Sequence, residues 1–161
     1  MEMMLEKMLP LFMLCGSLCA ADFPDGWNVY RSPKNSTSGS VTLQDKVIHV
    51  VDPGDEIEVG IAKDIPCTPG DYIRISTEVK PAVADSLKHA GISAFYLFKP
   101  MKKAGFTPIT EKAMNGVLVI GPVPEGVSKV RFFVYSSRKL ANDILISIPK
   151  MEVSKTPFPA K

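Results

Sequence analysis

The sequence predicts an all-β protein, an antiparallel β-sandwich of about nine strands. Two segments carry this prediction, residues 69–80 and 123–136. Each begins with a Pro/Gly turn and then alternates between two faces over about ten residues, the period of a strand in a half-exposed sheet. In addition, no helical pattern of ten residues or more follows residue 21. Long strands without intervening helices are typical of a sandwich.

The shorter strands follow from the same alternation and from the turns between them. Residues 40–43 and 46–51 flank the short link Gln44-Asp45, which predicts a hairpin. Asp52-Pro53-Gly54-Asp55 is a stronger turn signal. Further strands are predicted near residues 27–30, 56–61, 91–98, 117–120 and 144–153.

One stretch carries no strand prediction. Residues 99–115 contain four lysines, a glycine and two prolines without a regular apolar period. Turn and charged residues in this density favour irregular structure. We therefore expect an unusually long surface loop there.

Alternation assigns the faces of the two long strands. The inward residues are expected to be Ile73, Ile75, Thr77 and Val79 in the first strand, and Val130, Phe132 and Val134 in the second. The outward residues are expected to be Tyr72, Arg74, Ser76 and Glu78, and Lys129, Arg131, Phe133 and Tyr135. A slip of one residue would expose the whole apolar set, so the pattern specifies the register strongly.

Residues 1–21 are predicted to be a signal peptide. Met8–Leu18 is an apolar run too short to cross a bilayer, and Cys19-Ala20-Ala21 offers small residues for cleavage. The acidic Glu2 and Glu6 depart from the usual positive leader. Export to the outside, the periplasm or the cell surface is the favoured interpretation, and lipidation at Cys15 or Cys19 is less favoured because Leu precedes each. The domain would then span residues 22–154, followed by a flexible tail at 155–161.

Charge and cysteine content exclude some classes of protein. The formal net charge is +2, and it becomes +3 without residues 1–21. The charges are spread along the chain with no basic arm, which argues against a nucleic-acid partner. Cys67 is the one cysteine that remains after residue 21, so no internal disulfide is expected.

The order of these segments resembles that of the jelly-roll carbohydrate-binding modules of secreted glycanases, in the galactose-binding-like sandwich group. The resemblance covers residues 22–154 and rests on a series of short motifs: Gly60-Ile61 before Ile65-Pro66, residues 69–76, Val123–Gly126 leading into Val130–Val134, and the closing strand 144–153. It implies a jelly-roll sandwich that binds glycans without cutting them. The closing strand lacks the Asp pair that such modules often carry.

An aromatic and basic sheet face is the candidate ligand site. Sugar-binding proteins stack aromatic rings on pyranose faces and surround them with polar groups. If the two long strands share a sheet and the 91–98 strand lies alongside, this face would consist of Tyr72, Arg74, Glu78, Tyr96, Arg131, Phe133 and Tyr135. The competing interpretation makes Phe133 and Tyr135 ordinary core residues, with the arginines at the rim.

Other candidates have simpler explanations. Trp27 could be a sugar platform, but we favour a core position. The carboxylates of Asp52, Asp55 and Glu56 lie within one turn and would suit a structural calcium, although a solvated turn is the commoner reason for such a cluster. No zinc motif is present, and no other cofactor is expected. Cys67 has no histidine nearby in sequence, so we interpret it as a small apolar residue and not as a nucleophile.

The sequence thus predicts an exported, non-catalytic carbohydrate-binding protein whose partner is a polysaccharide or other glycan, with no span across a membrane. The alternative is a structural or adhesive sandwich that binds a protein or a cell-surface partner. An enzyme is the least favoured class. The carbohydrate-binding interpretation requires an aromatic face that solvent can reach, whereas a face buried under another sheet or a loop favours the structural one.

Overall fold

The computed structural model describes residues 23–54, 56–137 and 140–159 as two antiparallel sheets packed face to face, an all-β sandwich of jelly-roll type. Within these ranges a 3₁₀ turn at Pro24–Gly26 precedes eleven strands: β1 (Asn28–Ser32), β2 (Ser40–Gln44), β3 (Val47–Asp52), β4 (Glu58–Pro66), β5 (Tyr72–Pro81), β6 (Ala90–Tyr96), β7 (Lys102–Ile109), β8 (Asn115–Ile120), β9 (Lys129–Ser136), β10 (Asn142–Ser147) and β11 (Lys150–Ser154). The predicted fold class is confirmed. Residues 1–22, including the expected signal peptide, lie outside the described residues.

The two long strands lie in different sheets. The five-stranded sheet has the order β1-β4-β9-β6-β7, so β9 is at its centre. The other sheet has the order β11-β5-β10-β3-β2, and β8 also pairs with β5. The sequence analysis left open whether β5 and β9 are neighbours, and the topology shows that they are not.

The core lies between the sheets, and the alternating inward residues of β5 and β9 are buried in it. Ile75 and Phe132 are both fully buried, and Thr77 is buried with its hydroxyl donating to the Ser147 carbonyl oxygen at 2.7 Å. The predicted inward faces of both strands are therefore confirmed. Trp27 is also buried, which supports its interpretation as a core residue and not as a sugar platform.

Two strand predictions were wrong. Residues 102–109 form strand β7 and not part of a long loop. This strand pairs with β6 on one side and lies at the sheet edge, where lysines and a proline are tolerated because one row of backbone groups needs no strand partner. The closing strand divides into β10 and β11 around Ile148-Pro149, and both parts pair along β5.

The remaining local features agree with the turn signals. The predicted hairpin forms between β2 and β3, with Asp45 and Lys46 both at positive φ in its turn. Residues 155–159, which the sequence predicts to be a flexible tail, contact the beginning of β5 and the turn before it. There Lys155 pairs with Asp71 at 2.5 Å, and Phe158 packs on Arg74. No helix within the described ranges is long and apolar enough to cross a membrane.

Candidate functional site

A groove of about 850 Å³ runs over the outer face of the five-stranded sheet. Strand register places its side chains in rows that cross the sheet, since residues paired on neighbouring strands share a face. The first row consists of Tyr30, Gly60, Tyr135, Gly91 and Pro108. The second consists of Asn28, Ala62, Phe133, Ser93 and Phe106. The third consists of Asp64, Arg131, Phe95 and Lys103.

Four aromatic rings form a connected cluster in this groove. The ring centroids of Tyr30 and Phe133 are 4.5 Å apart, and those of Tyr30 and Tyr135 are 6.1 Å apart. Phe95 meets Phe133 edge-on at 5.8 Å. These distances and inclined planes are the favourable geometry for aromatic pairs. We call Tyr30, Phe95, Phe133 and Tyr135 the groove aromatics.

Small residues on either side of β9 leave room for the rings. Gly60 and Gly91 flank Tyr135, while Ala62 and Ser93 flank Phe133. A Cβ atom at Gly60 would lie 2.1 Å from the Val134 carbonyl oxygen, so no side chain fits there without a backbone shift. On both sides of the aromatic rings the floor of the groove therefore consists of backbone and small side chains, which leaves space beside the rings.

Polar contacts orient the two tyrosines. The Tyr30 hydroxyl donates to the Glu58 carboxylate at 2.7 Å. Burial and this neighbouring carboxylate hold the pKa of Tyr30 well above its usual range, so it stays protonated and a donor. The hydroxyls of Tyr135 and Ser93 are hydrogen-bonded at 3.0 Å.

A bidentate ion pair joins Arg131 and Asp64 at one end of the third row. Arg131 Nε and Nη2 donate to the two oxygens of Asp64 at 2.5 and 2.8 Å. The hydrogen bonds from the guanidinium lower the pKa of the Asp64 carboxyl, and the carboxylate raises the pKa of Arg131. Both side chains remain more than a third exposed, so they can meet a ligand.

The predicted site residues divide between the two sheets. Arg131, Phe133 and Tyr135 come together in the groove. Tyr72, Arg74 and Glu78 lie on β5, on the outer face of the other sheet, so the predicted set does not form one surface. The reason is topological: no local pattern in either strand records which sheet it joins.

The two charged residues of this group, Arg74 and Glu78, have ion-pair partners on their own face. Arg74 pairs with Glu152 at 2.6 Å and lies 4.6 Å from the ring centroid of Phe158. Glu78 pairs with Lys80 at 2.9 Å. Arg74 and Glu78 are thus each already paired with an opposite charge.

Tyr96 does not join the outer face. It pairs with the inward Val130 and is only 8% exposed, so its ring belongs to the core. Its neighbour Phe95 points outward instead and is one of the groove aromatics. The prediction was wrong because six of the seven residues of β6 are buried, on both faces, so its sequence has no clear alternation of polar and apolar residues.

Sequence reasoning also missed Tyr30 and Phe106. Tyr30 was assigned to a first strand without a role, and its contact with β9 depends on β4 lying between them. Phe106 fell in the segment interpreted as a loop. The signal that could have identified it is the alternation of the exposed Phe106 and Pro108 with the less exposed Thr107 and the buried Ile109 along an edge strand.

The predicted calcium ligands are dispersed. Asp52 is buried and accepts hydrogen bonds from the Ser136 hydroxyl and from the Gly54 amide, the latter at 2.8 Å. Glu56 is exposed, and Asp55 lies outside the described residues. The residues described in this turn do not fit a calcium ion, since donors already face both oxygens of Asp52. No group of three acidic, histidine or cysteine residues suited to a metal ion occurs in the described part of the chain.

No family model matches the chain, and no curated protein matches it in sequence. Solved structures nevertheless share its fold. A CBM4 module superposes with a TM-score of 0.58 and 16% identity, covering 84% of this chain and 92% of the module. The CBM22-1 xylan-binding domain of Paenibacillus barcinonensis Xyn10C gives 0.56 and 12%, covering 83% and 89%.

The enzymatically active domain of the bacteriophage CBA120 tailspike protein 4 gives a TM-score of 0.57 and 13% identity, covering 81% of this chain. The chain spans only 20% of that tailspike chain's length. Most of these structural neighbours are carbohydrate-binding modules, so the fold-level resemblance predicted from the sequence is confirmed. At such identities the likeness establishes the shared β-sandwich fold.

Proposed function

We propose that the protein is an exported, non-catalytic carbohydrate-binding protein and that its glycan lies in the groove over β9. The cluster of groove aromatics, which lie half-buried in a groove on the outer sheet face, carries this proposal. Several proteins that share the fold are named as carbohydrate-binding modules, and two of them are named as xylan-binding, which supports the same class of ligand.

The groove has the composition that sugar recognition requires. Aromatic rings offer flat apolar surfaces on which the C–H faces of a pyranose can stack. Polar groups stand at the edges of the cluster, where sugar hydroxyls would emerge: the amide of Asn28, the hydroxyls of Tyr30 and Ser93, and the fork of Arg131 with Asp64. A groove of this volume lies within the usual range for ligand sites of about 300–1,000 Å³. It would hold a short stretch of sugar chain.

The state of the groove carboxylates supports binding over cleavage. A glycosidase needs one carboxyl group held protonated and a second one beside it. Here the pKa of Asp64 is lowered by Arg131, and Glu58 accepts the Tyr30 hydroxyl. The hydrogen bonds from Arg131 therefore favour the charged form of Asp64, which is the opposite of what an acid catalyst needs.

Two single variants test the proposal, and each removes one aromatic ring from a different sheet. In calorimetric titrations against soluble plant and host polysaccharides, Phe133→Ala should weaken glycan binding about tenfold, because one stacking ring contributes about 1–1.5 kcal/mol. Tyr72→Ala removes an aromatic residue from the other sheet and should leave affinity unchanged.

The structural or adhesive alternative gives a different result. It predicts that no polysaccharide binds the wild type at millimolar site concentrations, and that Phe133→Ala lowers the melting temperature because the ring serves only to pack. That pair of results would lead us to abandon the carbohydrate proposal.

Export is the part of the proposal that depends on the sequence. The apolar run Met8–Leu18 and the small residues after it imply a processed protein that begins near Ala21 or Asp22. Mass spectrometry of the exported product should find that amino terminus. A full-length product retained in the cytosol would contradict it.

A further inference from the structure

We propose that the groove selects an acidic polysaccharide, one whose sugar units carry carboxylates as uronic acids. This inference rests on the proposed function and names the class of glycan. It follows from the charge of the groove, from a β-bulge that turns one lysine into it, and from donors left over at Arg131.

Positive charge is concentrated in the groove. Five cationic and two acidic residues border it, a net charge of +3, whereas the whole chain carries +2. The register places Lys103 and Arg131 on the outer face itself, while Arg31 and Lys63 pair with the inward Val59 and Phe132 and border the groove at its edge. The five cations are Arg31, Lys34, Lys63, Lys103 and Arg131. Both acids already have partners there, Glu58 with Tyr30 and Asp64 with Arg131. A cleft lined by one sign of charge attracts ligands of the other sign.

A β-bulge turns Lys103 toward the groove. Ala94 pairs with Gly105, but Phe95 pairs with Lys103, so Ala104 is the extra residue on β7. In a regular ladder Lys103 would oppose the inward Tyr96 and would share its face. The bulge instead aligns Lys103 with the third row, where its ammonium lies 4.8 Å from the ring centroid of Phe106.

Lys103 and Arg131 flank Phe95 on its two sides. Both are its direct register partners on the outer face, so their Cβ atoms stand about 5 Å from that of Phe95. No carboxylate in the described part of the chain forms an ion pair with Lys103. A sugar stacked on this ring would therefore have a cation at each edge.

Arg131 can serve a second carboxylate. A guanidinium has five N–H donors in a planar fork, and two of the donor atoms are directed at Asp64. No acceptor among the described residues faces Nη1, and the side chain is 40% exposed. Planar carboxylates match the guanidinium fork, and the carboxylate of a uronic acid projects from the ring edge and not from the stacking face. A uronic acid can thus stack and pair at the same time.

The test compares acidic polymers with their neutral counterparts. Polygalacturonate, alginate and glucuronoxylan are titrated beside carboxyl-reduced forms of each, so that only the charge changes. We expect at least one polyuronate to bind about fivefold or more tightly than its reduced form, and the difference to shrink as NaCl rises from about 50 to about 500 mM. Equal binding of both forms, independent of salt, would overturn this inference and leave the proposed function intact.

Matched lysine variants locate the effect. Lys103→Gln should weaken binding of the preferred polyuronate about two- to fivefold while leaving the reduced polymer unaffected. Lys150→Gln removes the same charge from the other sheet and should change neither; melting curves confirm that both variants fold. An equal loss in the two variants would contradict the assignment to the groove.

Two further outcomes are distinguishable. A sulfated galactan that binds better than every polyuronate would overturn the assignment to carboxylates. Failure of all polysaccharides, acidic and neutral, would overturn the proposed function together with this inference.

Discussion

The rings of Tyr30 and Phe133 meet with centroids 4.5 Å apart although strand β4 lies between their strands. Two strand spacings separate β1 from β9 by about 9.5 Å, so the side chains must lean toward each other over β4. They can do so because the outward residues of β4 beneath them are Gly60 and Ala62. The groove aromatics therefore depend on small residues that contribute no ring of their own.

The first prediction concerns Ala62, which pairs with Phe133. Ala62→Leu should fill the space beside the ring and block a stacked sugar, because the new side chain occupies the volume that a pyranose would need. Affinity for the glycan should fall at least tenfold, while the melting temperature should stay near that of the wild type, since the position is only half-buried.

Ala62→Ser is the control for this change, because it alters polarity with little added volume. Titration calorimetry and thermal melts of both variants supply the comparison. If Ala62→Leu binds glycan as the wild type does, the sugar does not lie over this part of the sheet.

The second prediction uses two adjacent phenylalanines with opposite orientations. Phe132 is fully buried in the core, whereas Phe133 lies in the groove. Phe132→Ala should lower the free energy of unfolding by about 3–5 kcal/mol through lost transfer energy and a cavity. Phe133→Ala should cost clearly less, because the ring has one face toward solvent.

Urea unfolding of the two variants measures this difference directly. Costs of equal size would mean that the register of β9 differs from the one described.

The inward faces of β5 and β9 were predictable because alternation over eight or more residues determines which side is buried. Ile75, Thr77 and Phe132 all lie where the period places them. The same reasoning failed for Tyr96, since β6 is buried on both faces and its sequence shows no clear alternation of polar and apolar residues.

The local sequence could not predict which of the two sheets each strand joins. Whether β5 lies beside β9 is decided by long-range pairing, and the outward residues of both strands look alike. For that reason three of the seven predicted ligand residues, Tyr72, Arg74 and Glu78, lie on the opposite sheet. Strand β7 was missed for a related reason: its lysines and Pro108 suit an edge strand as well as they suit a loop.

The third prediction concerns the turn between β2 and β3. Asp45 and Lys46 have φ values of 48° and 66°, the left-handed region that both central residues of such a hairpin turn require. A side chain makes this conformation costly, by about 1–2 kcal/mol for residues other than glycine. Lys46→Gly should therefore raise the free energy of unfolding by about 0.5–1 kcal/mol, since glycine's extra unfolded-state freedom offsets part of the gain.

Lys46→Ala removes the same charge but keeps the Cβ atom, so it should bring no such gain. Denaturant unfolding of the three proteins separates backbone relief from loss of charge. If alanine stabilises as much as glycine, the effect comes from the charge and not from φ.

The fourth prediction follows from Asp71, which sits in the turn before β5. The ion pair with Lys155 at 2.5 Å is the largest cause that lowers the pKa of its carboxyl, and the Thr68 amide, which donates at 2.8 Å, adds to it. Since the folded-state pKa is depressed, the carboxylate stabilises the fold above the unfolded-state pKa of about 3.9. That contribution disappears as the pH falls through the lower folded-state value.

Asp71→Asn should accordingly melt below the wild type at pH 7, and the gap should narrow steadily as the pH falls below about 4. Thermal melts between pH 2 and pH 7 record this convergence. Glu111→Gln, an exposed carboxyl in the turn after β7, is the control and should show no comparable gap at pH 7. A difference between Asp71→Asn and wild type that persists unchanged down to pH 2 would mean that the amide disturbs packing at this turn and that the charge of Asp71 contributes nothing.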